Sequence, residues 1–343
     1  MARLLKLVLS IGITVALCWW TFHGTDLRGQ LASIREAKFE WLAVYLFFLL
    51  AIHVCRTLRW GALLSGIERV PFKPLNEASG IGFMMLLILP LRLGEFARPF
   101  LMAQRSGIRR SAAMTSVVLE RITDGICIAA LLRVLLFFVV SKSPGIEKVA
   151  WGSNLLFLVF GGGLAFLLFA TWQQARAVKL VEKTAGLVSP TLAEKVSGVV
   201  NNFVGAMRQL PSPGQMALFF FYTVLYWALN GIGMAVASRA FPGAEISVFQ
   251  AFVVLSVLIV FLMIPAAPGM VGTFQAGVKL GLSLFLPMAV VNNSGLAYAN
   301  VIWFMQTAQQ IGLGMILMAV SHTSFGDMSS GKMKGEPALS VER

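Results

Sequence analysis

NLLFLVFGGGLAFLLFATW, residues Asn154–Trp172, contains no charged side chain and has the length at which an apolar helix crosses a bilayer, about twenty residues. Comparable runs recur on both sides of it. Leu4–Phe22, Trp41–Trp60, Gln215–Ala240, Val248–Ile264, Val271–Leu286 and Tyr298–Val320 are all predominantly apolar. Arg56 and Arg59 are read as marking the exit of the second of these. Across the 343 residues, 57% are hydrophobic and 13% charged, about half the charged share of an ordinary soluble domain. The expected fold is therefore all-α: a polytopic helical membrane protein with about seven or eight transmembrane helices.

The formal charge of +13, from 28 Lys and Arg against 15 Asp and Glu, would suggest a nucleic-acid partner in a soluble chain. Here the basic residues fall between the apolar runs, as they do in cytoplasmic loops, and nucleic-acid binding is set aside. Arg3 and Lys6 precede the first run, but no small-x-small cleavage site follows it and Trp19-Trp20 reads as an interfacial anchor, so the run is kept as a spanning helix. Counting Lys and Arg places both termini on the cytoplasmic side of the cell (inner or plasma) membrane. The 173–213 connection, with its helical spacing of Leu192, Val196, Val199, Val200, Phe203 and Met207, reads as an amphipathic helix on the same side. Residues 1–322 form the expected membrane domain, and 323–343 a polar disordered cytoplasmic tail.

Cys18, Cys55 and Cys127 lack metal or disulfide spacing and read as small apolar residues; His23, His53 and His322 are equally scattered. No metal and no cofactor is expected. The Gly161–Gly163 run reads as a helix-packing feature.

Three stretches depart from plain apolar helix. In VVLERITDG, residues 117–125, Glu120 and Asp124 share a helix face with Arg121 adjacent, about nine residues into a long helical stretch from Ser111 to Val140 and hence near mid-bilayer. Ionisable groups at that depth cost several kcal/mol unless paired or hydrated, so they mark a site or an ion-pair lock between helices. In LPLRLGEFARP, residues 89–99, the run Ile81–Leu91 is too short to span and ends at Pro90, the pattern of a re-entrant broken helix. Arg92, Glu95 and Arg98 follow at i, i+3 spacing, Gly94 allows close backbone approach, and arginine's planar fork suits phosphate. IPAAPGMVGTFQ, residues 264–275, repeats the device, with Pro268 and Gly272 spaced as Pro90 and Gly94 are. Paired breaks point to an inverted repeat and a transporter-like binding site, although Pro and Gly are common in membrane helices in any case.

On these residues (Pro90, Arg92, Gly94, Glu95, Arg98, Pro99, Glu120, Arg121 and Asp124) the chain resembles the lysylphosphatidylglycerol synthase transmembrane family, the flippase-like integral membrane proteins. The second break, with Pro268, Gly269 and Gly272, resembles the family's second motif, but Gln275 stands where a carboxylate is expected. The resemblance implies a membrane domain that handles lipid. The aminoacyl transferase of two-domain members is not implied, since only the short polar tail follows.

The expected substrate-binding set is Arg92, Gly94, Glu95, Arg98, Glu120, Arg121, Asp124, Pro268, Gly269, Gly272 and Gln275. Its expected ligand is a membrane lipid or lipid-linked substrate with an anionic or zwitterionic headgroup, translocated between leaflets. Two other functions remain open: a non-transporting accessory subunit of a lipid- or glycan-modifying pathway, and a membrane-embedded lipid transferase. No catalytic motif favours an enzyme. A homo-oligomer or a lipid-modifying enzyme is the expected protein partner.

Overall fold

The computed structural model describes residues 2–89, 94–138, 145–186, 211–264 and 268–321, with residues 189, 190, 194, 197, 198, 200, 201 and 204. Pro90, Arg92, Leu192, Val196, Val199, Phe203, Met207, His322 and the 323–343 tail lie outside the described residues. The described chain is helical: α1 Ala2–Phe22, α2 Leu27–Arg35, α3 Phe39–Leu64, α4 Phe72–Ile88, α5 Ala97–Ser106, α6 Arg110–Phe138, α7 Gly145–Trp172 and α8 Gln174–Gly186. After the partly described connection come α9 Pro213–Ser238, α10 Val248–Leu262, α11 Thr273–Leu282 and α12 Met288–Val320, whose second turn is a π-turn at Val291–Gly295.

Local chemistry sets several of the boundaries. Asp26 accepts from the Arg28 backbone N–H to cap α2, and Ser247 and Gln250 form a reciprocal capping box at the start of α10. Pro213 opens α9 at the helical position where its missing N–H costs nothing.

The chain is a polytopic helical membrane protein. Phe39–Leu64, Val149–Trp172, Pro213–Ser238 and Met288–Val320 are each long and apolar enough to cross a bilayer. α4 and α10, with 17 and 15 residues, rise only about 25 and 22 Å against a hydrocarbon core of about 30 Å. Each turns back through a broken stretch into a ten-residue helix, α5 or α11.

The first turn is tight enough to require glycine. A Cβ on Gly94 would lie 2.1 Å from the Leu86 backbone nitrogen and 2.2 Å from the Met85 carbonyl carbon. Glu77 of α4 and Arg105 of α5 form an ion pair that clamps the other end of this hairpin. In the second hairpin, Cβ atoms on Gly277 and Gly281 would each lie 2.8 Å from a Cα of α10, those of Leu258 and Val254.

The two halves share a plan. α3 and α9 lie antiparallel along their lengths: Leu63 packs against Phe219, the Cys55 thiol meets the Tyr222 carbonyl at 3.3 Å, and the Lys38 N–H donates to the Ala240 carbonyl at 3.0 Å. α4 packs on α12, and α10 packs on α6. Each short helix packs on the helices before and after it. This pattern is unchanged when α3–α6 and α9–α12 are exchanged, so the two helical hairpins occupy matching places in an antiparallel repeat.

Two sequence readings change. Arg56 and Arg59 do not mark the end of a helix: α3 continues to Leu64, and Arg59 is fully buried. Gly162 and Gly163 pack against nothing, since a Cβ on either would meet no described atom within 4 Å; α7 is peripheral and turns that face outward. Lys279, the single charge between Ile246 and Ser321, caps the C-terminus of α1, its Nζ donating to the Thr21 carbonyl at 2.6 Å. Of the 173–213 connection, Val200 and Val204 are buried with Ala170, Ala177 and Val181, so those residues fold against the α7–α8 junction.

Candidate functional site

Four arginines gather around the acids of α6, one of them from α6 itself. Glu120 and Asp124, four residues apart, share the face turned toward α3 and α5. Arg59 of α3 bridges them, its Nη2 lying 3.4 Å from Glu120 Oε1 and 2.8 Å from Asp124 Oδ1. Arg98, at the start of α5, approaches the other oxygen of Glu120 at 3.1 Å. Arg121 lies 3.8 Å from Glu120 and 3.7 Å from Asp124. The fourth, Arg56, stands one turn before Arg59 on α3. The Arg59, Arg98 and Glu120 side chains are each no more than 2% exposed. Burial of such charges costs several kcal/mol per ion, which close pairing offsets.

Packing explains how Arg98 reaches this depth. Its guanidinium lies between two rings, 4.4 Å from the Trp60 centroid and 4.5 Å from that of Phe83. The Trp60 indole is itself fixed, donating to Ser116 Oγ at 2.9 Å. Opposite the Arg98 stem stands Gly82, where a Cβ would fall 2.2 Å from Arg98 Cγ. The smallest residue of α4 thus makes room for the arginine of α5. Arg59 Nε and Arg98 Nε and Nη1 have no hydrogen-bond acceptor among the described residues, so donor capacity remains in the cluster.

Beside the cluster is a cavity of about 610 Å³. Arg56, Glu95, Glu120, Arg121 and Asp124 border it, with Tyr226 and the amides of Asn230, Gln306 and Gln310. Its apolar wall comes chiefly from α7 and α10, including Leu155, Val159, Phe160, Leu255, Leu258 and Ile259. Leu86 and Leu87 at the end of α4, and Leu262 and Met263 at the end of α10, border it as well, so both helix breaks adjoin the same space. Met270 also faces it, with a φ of 55°, a left-handed conformation uncommon for a residue with a side chain.

Of the residues expected from sequence, Glu95, Arg98, Glu120, Arg121 and Asp124 come together here. Gly94 serves the hairpin turn next to them, and Arg92 lies outside the described residues. The second motif supplies the wall through Met270 and Phe274 instead of the expected residues. Pro268 belongs to a turn packed on α4, and the Gly269 carbonyl accepts from Trp303 Nε1 at 2.8 Å. Gly272 sits at φ 80° against α1, where a Cβ would lie 2.7 Å from Cys18 Sγ. Gln275 is buried, its Oε1 accepting the Gly272 N–H at 2.9 Å. The amide oxygen fills that capping role without needing a counter-ion.

Sequence reasoning missed Arg56, Arg59, Tyr226, Asn230, Gln306 and Gln310. A signal was present for two pairs. Arg56 and Arg59 stand three apart in an apolar stretch that resumes with Trp60-Gly61-Ala62-Leu63-Leu64, and Gln306 and Gln310 are four apart in a cluster of amides, with Gln309, on an uncharged helix.

A family model described as Lysylphosphatidylglycerol synthase TM region matches residues 4–310. No curated protein and no solved structure matches the chain.

Proposed function

The chain belongs to the lysylphosphatidylglycerol synthase TM region family, and from that premise we propose that it holds a lipid by its polar headgroup in the charged cavity and moves it between leaflets. The observation that carries this reading is one space bordered by arginines and carboxylates from α3 and α6 and by aliphatic side chains of α7 and α10. A lipid has the same two-part chemistry.

The chief barrier to exchange is desolvation of the headgroup over about 30 Å of hydrocarbon. Arg121, which borders the cavity, replaces water as a donor to an anionic or zwitterionic headgroup, while Arg98, held behind Glu120, and Arg92 of the same motif add positive charge. Glu120 and Asp124 orient those arginines through the ion pairs already described. The broken ends of α4 and α10, both bordering the cavity, are the elements whose movement would open it to one side and then the other. No covalent step is involved. In this reading the protein sits in the inner membrane with both termini cytoplasmic.

The test is leaflet exchange of fluorescent phospholipids and polyprenyl-linked lipids in proteoliposomes, comparing wild type with Arg121→Ala and Glu120→Gln at matched reconstitution. Accelerated exchange by the wild type, reduced about tenfold or more in variants that still fold, is the expected result. Absence of exchange for every lipid would overturn transport and favour an accessory subunit that scaffolds a lipid-modifying enzyme.

A further inference from the structure

The charges around the cavity do not cancel. Arg56 and Arg121 border it with Glu95, Glu120 and Asp124, and the buried Arg59 and Arg98 pair with those acids from behind, so the whole cluster holds four arginines to three carboxylates. Each carboxylate is engaged: Glu120 by Arg59 and Arg98, Asp124 by Arg59 and Arg121, and Glu95 by a contact of its own. Arg56 is the exception among the arginines. No carboxylate lies within 4 Å of it among the described residues, its guanidinium rests on the Phe83 ring with the carbon 3.2 Å from the centroid, and its Nε is buried without an acceptor.

The remaining polar groups of the cavity are uncharged. Asn230, Gln306 and Gln310 present neutral amides, and Tyr226 a phenol. Between Ile246 and Ser321 there is no acid at all. An ammonium entering this space would meet no uncommitted carboxylate and one uncompensated arginine. A phosphate would meet a guanidinium fork and several neutral donors.

We infer that the cavity selects a lipid whose headgroup carries an anionic phosphate without a compensating ammonium, and that Arg56 is its phosphate ligand. This rests on the cavity being the lipid site, as proposed above, but not on transport. The discrimination lies in pairing: an aminoacylated phospholipid brings a cation to a site whose carboxylates are already engaged and whose Arg56 has no carboxylate partner.

The test uses the full chain in phosphatidylcholine nanodiscs, with lipid retention read by native mass spectrometry. The probes are phosphatidylglycerol, a long-chain polyprenyl phosphate, lysylphosphatidylglycerol and inorganic phosphate. Wild type is expected to retain the first two about tenfold more strongly than lysylphosphatidylglycerol. Arg56→Gln should lose about tenfold for the anionic lipids and little for the aminoacylated one, and Arg56→Lys should fall between. Arg109→Gln, an exposed change of equal charge away from the cavity, should match wild type.

Equal retention of lysylphosphatidylglycerol and phosphatidylglycerol by wild type, or unchanged binding in Arg56→Gln, would overturn the inference. If Arg56→Gln does not fold, unchanged binding in Arg56→Lys does the same. Displacement of the lipids by millimolar inorganic phosphate would overturn the lipid source, leaving a site for free phosphate. Selective binding without leaflet exchange would refute the transport reading alone, and exchange unaffected at Arg56 would refute this inference alone.

Discussion

Arg59 Nη2 lies 2.8 Å from Asp124 Oδ1, tying the last turns of α3 to the middle of α6. Because the same nitrogen also stands 3.4 Å from Glu120, removal of Arg59 would leave two acids four residues apart with reduced neutralisation. Arg59→Met is expected to destabilise the protein by about 3 kcal/mol or more, the scale found when one member of a buried pair is lost. Arg59→Met combined with Asp124→Leu should recover part of that. Unfolding in detergent, followed by tryptophan fluorescence, would check the order; a double variant less stable than Arg59→Met would contradict it.

Gly94 and Gly162 make opposite predictions for the same substitution. Gly94→Ala places a methyl 2.1 Å from backbone, which no rotamer change can relieve, and should prevent the α4–α5 hairpin from closing. Yield of monodisperse protein is expected to collapse. Gly162→Ala points into open space within a helix and should be neutral or stabilising by up to about 1 kcal/mol. Comparable thermal stability in the two variants would refute the hairpin geometry.

Gly82→Ala tests the site without altering any charge. The new methyl would press on Arg98 Cγ and displace the guanidinium from between Trp60 and Phe83. Lipid exchange in proteoliposomes should fall several-fold, on the order of 1 kcal/mol, while the protein stays folded. Exchange at the wild-type rate would mean that the position of Arg98 is unimportant.

Lys279→Met removes the donor to the Thr21 carbonyl and should loosen α1 from α11, costing about 1 to 3 kcal/mol as a buried acceptor is left unpaired. Limited proteolysis in the 23–26 linker reads this directly. Faster cleavage there, with the rest of the chain protected, is the expected pattern; an unchanged rate would assign α1 docking to its apolar contacts alone.

Much of the site is legible in the order of residues alone. Glu120 and Asp124 announce themselves because charge within an apolar helix is costly, and Gly94 because it follows a run too short to span. Gln275 misleads for a physical reason: a side chain three residues into a helix after a turn can serve its own backbone, and sequence does not distinguish that from reaching into a cavity. Arg56 and Arg59 read as a helix end because arginine is so often found there, although the apolar residues beyond them give the contrary sign.

The order and type of residues by themselves determined an apolar helical chain for the bilayer, two broken hairpins in matching places and buried charge midway along α6. Those properties follow from local quantities: run length, spacing and the cost of charge in hydrocarbon. The tertiary structure alone decided which side chains meet. Arg59 reaches Asp124, Arg98 threads past Gly82, and Lys279 caps α1, across sequence separations of 65, 16 and 258 residues in turn (124 − 59, 98 − 82, 279 − 21). Such pairings depend on the rotation and crossing of packed helices, which the periodicity of any one helix does not encode.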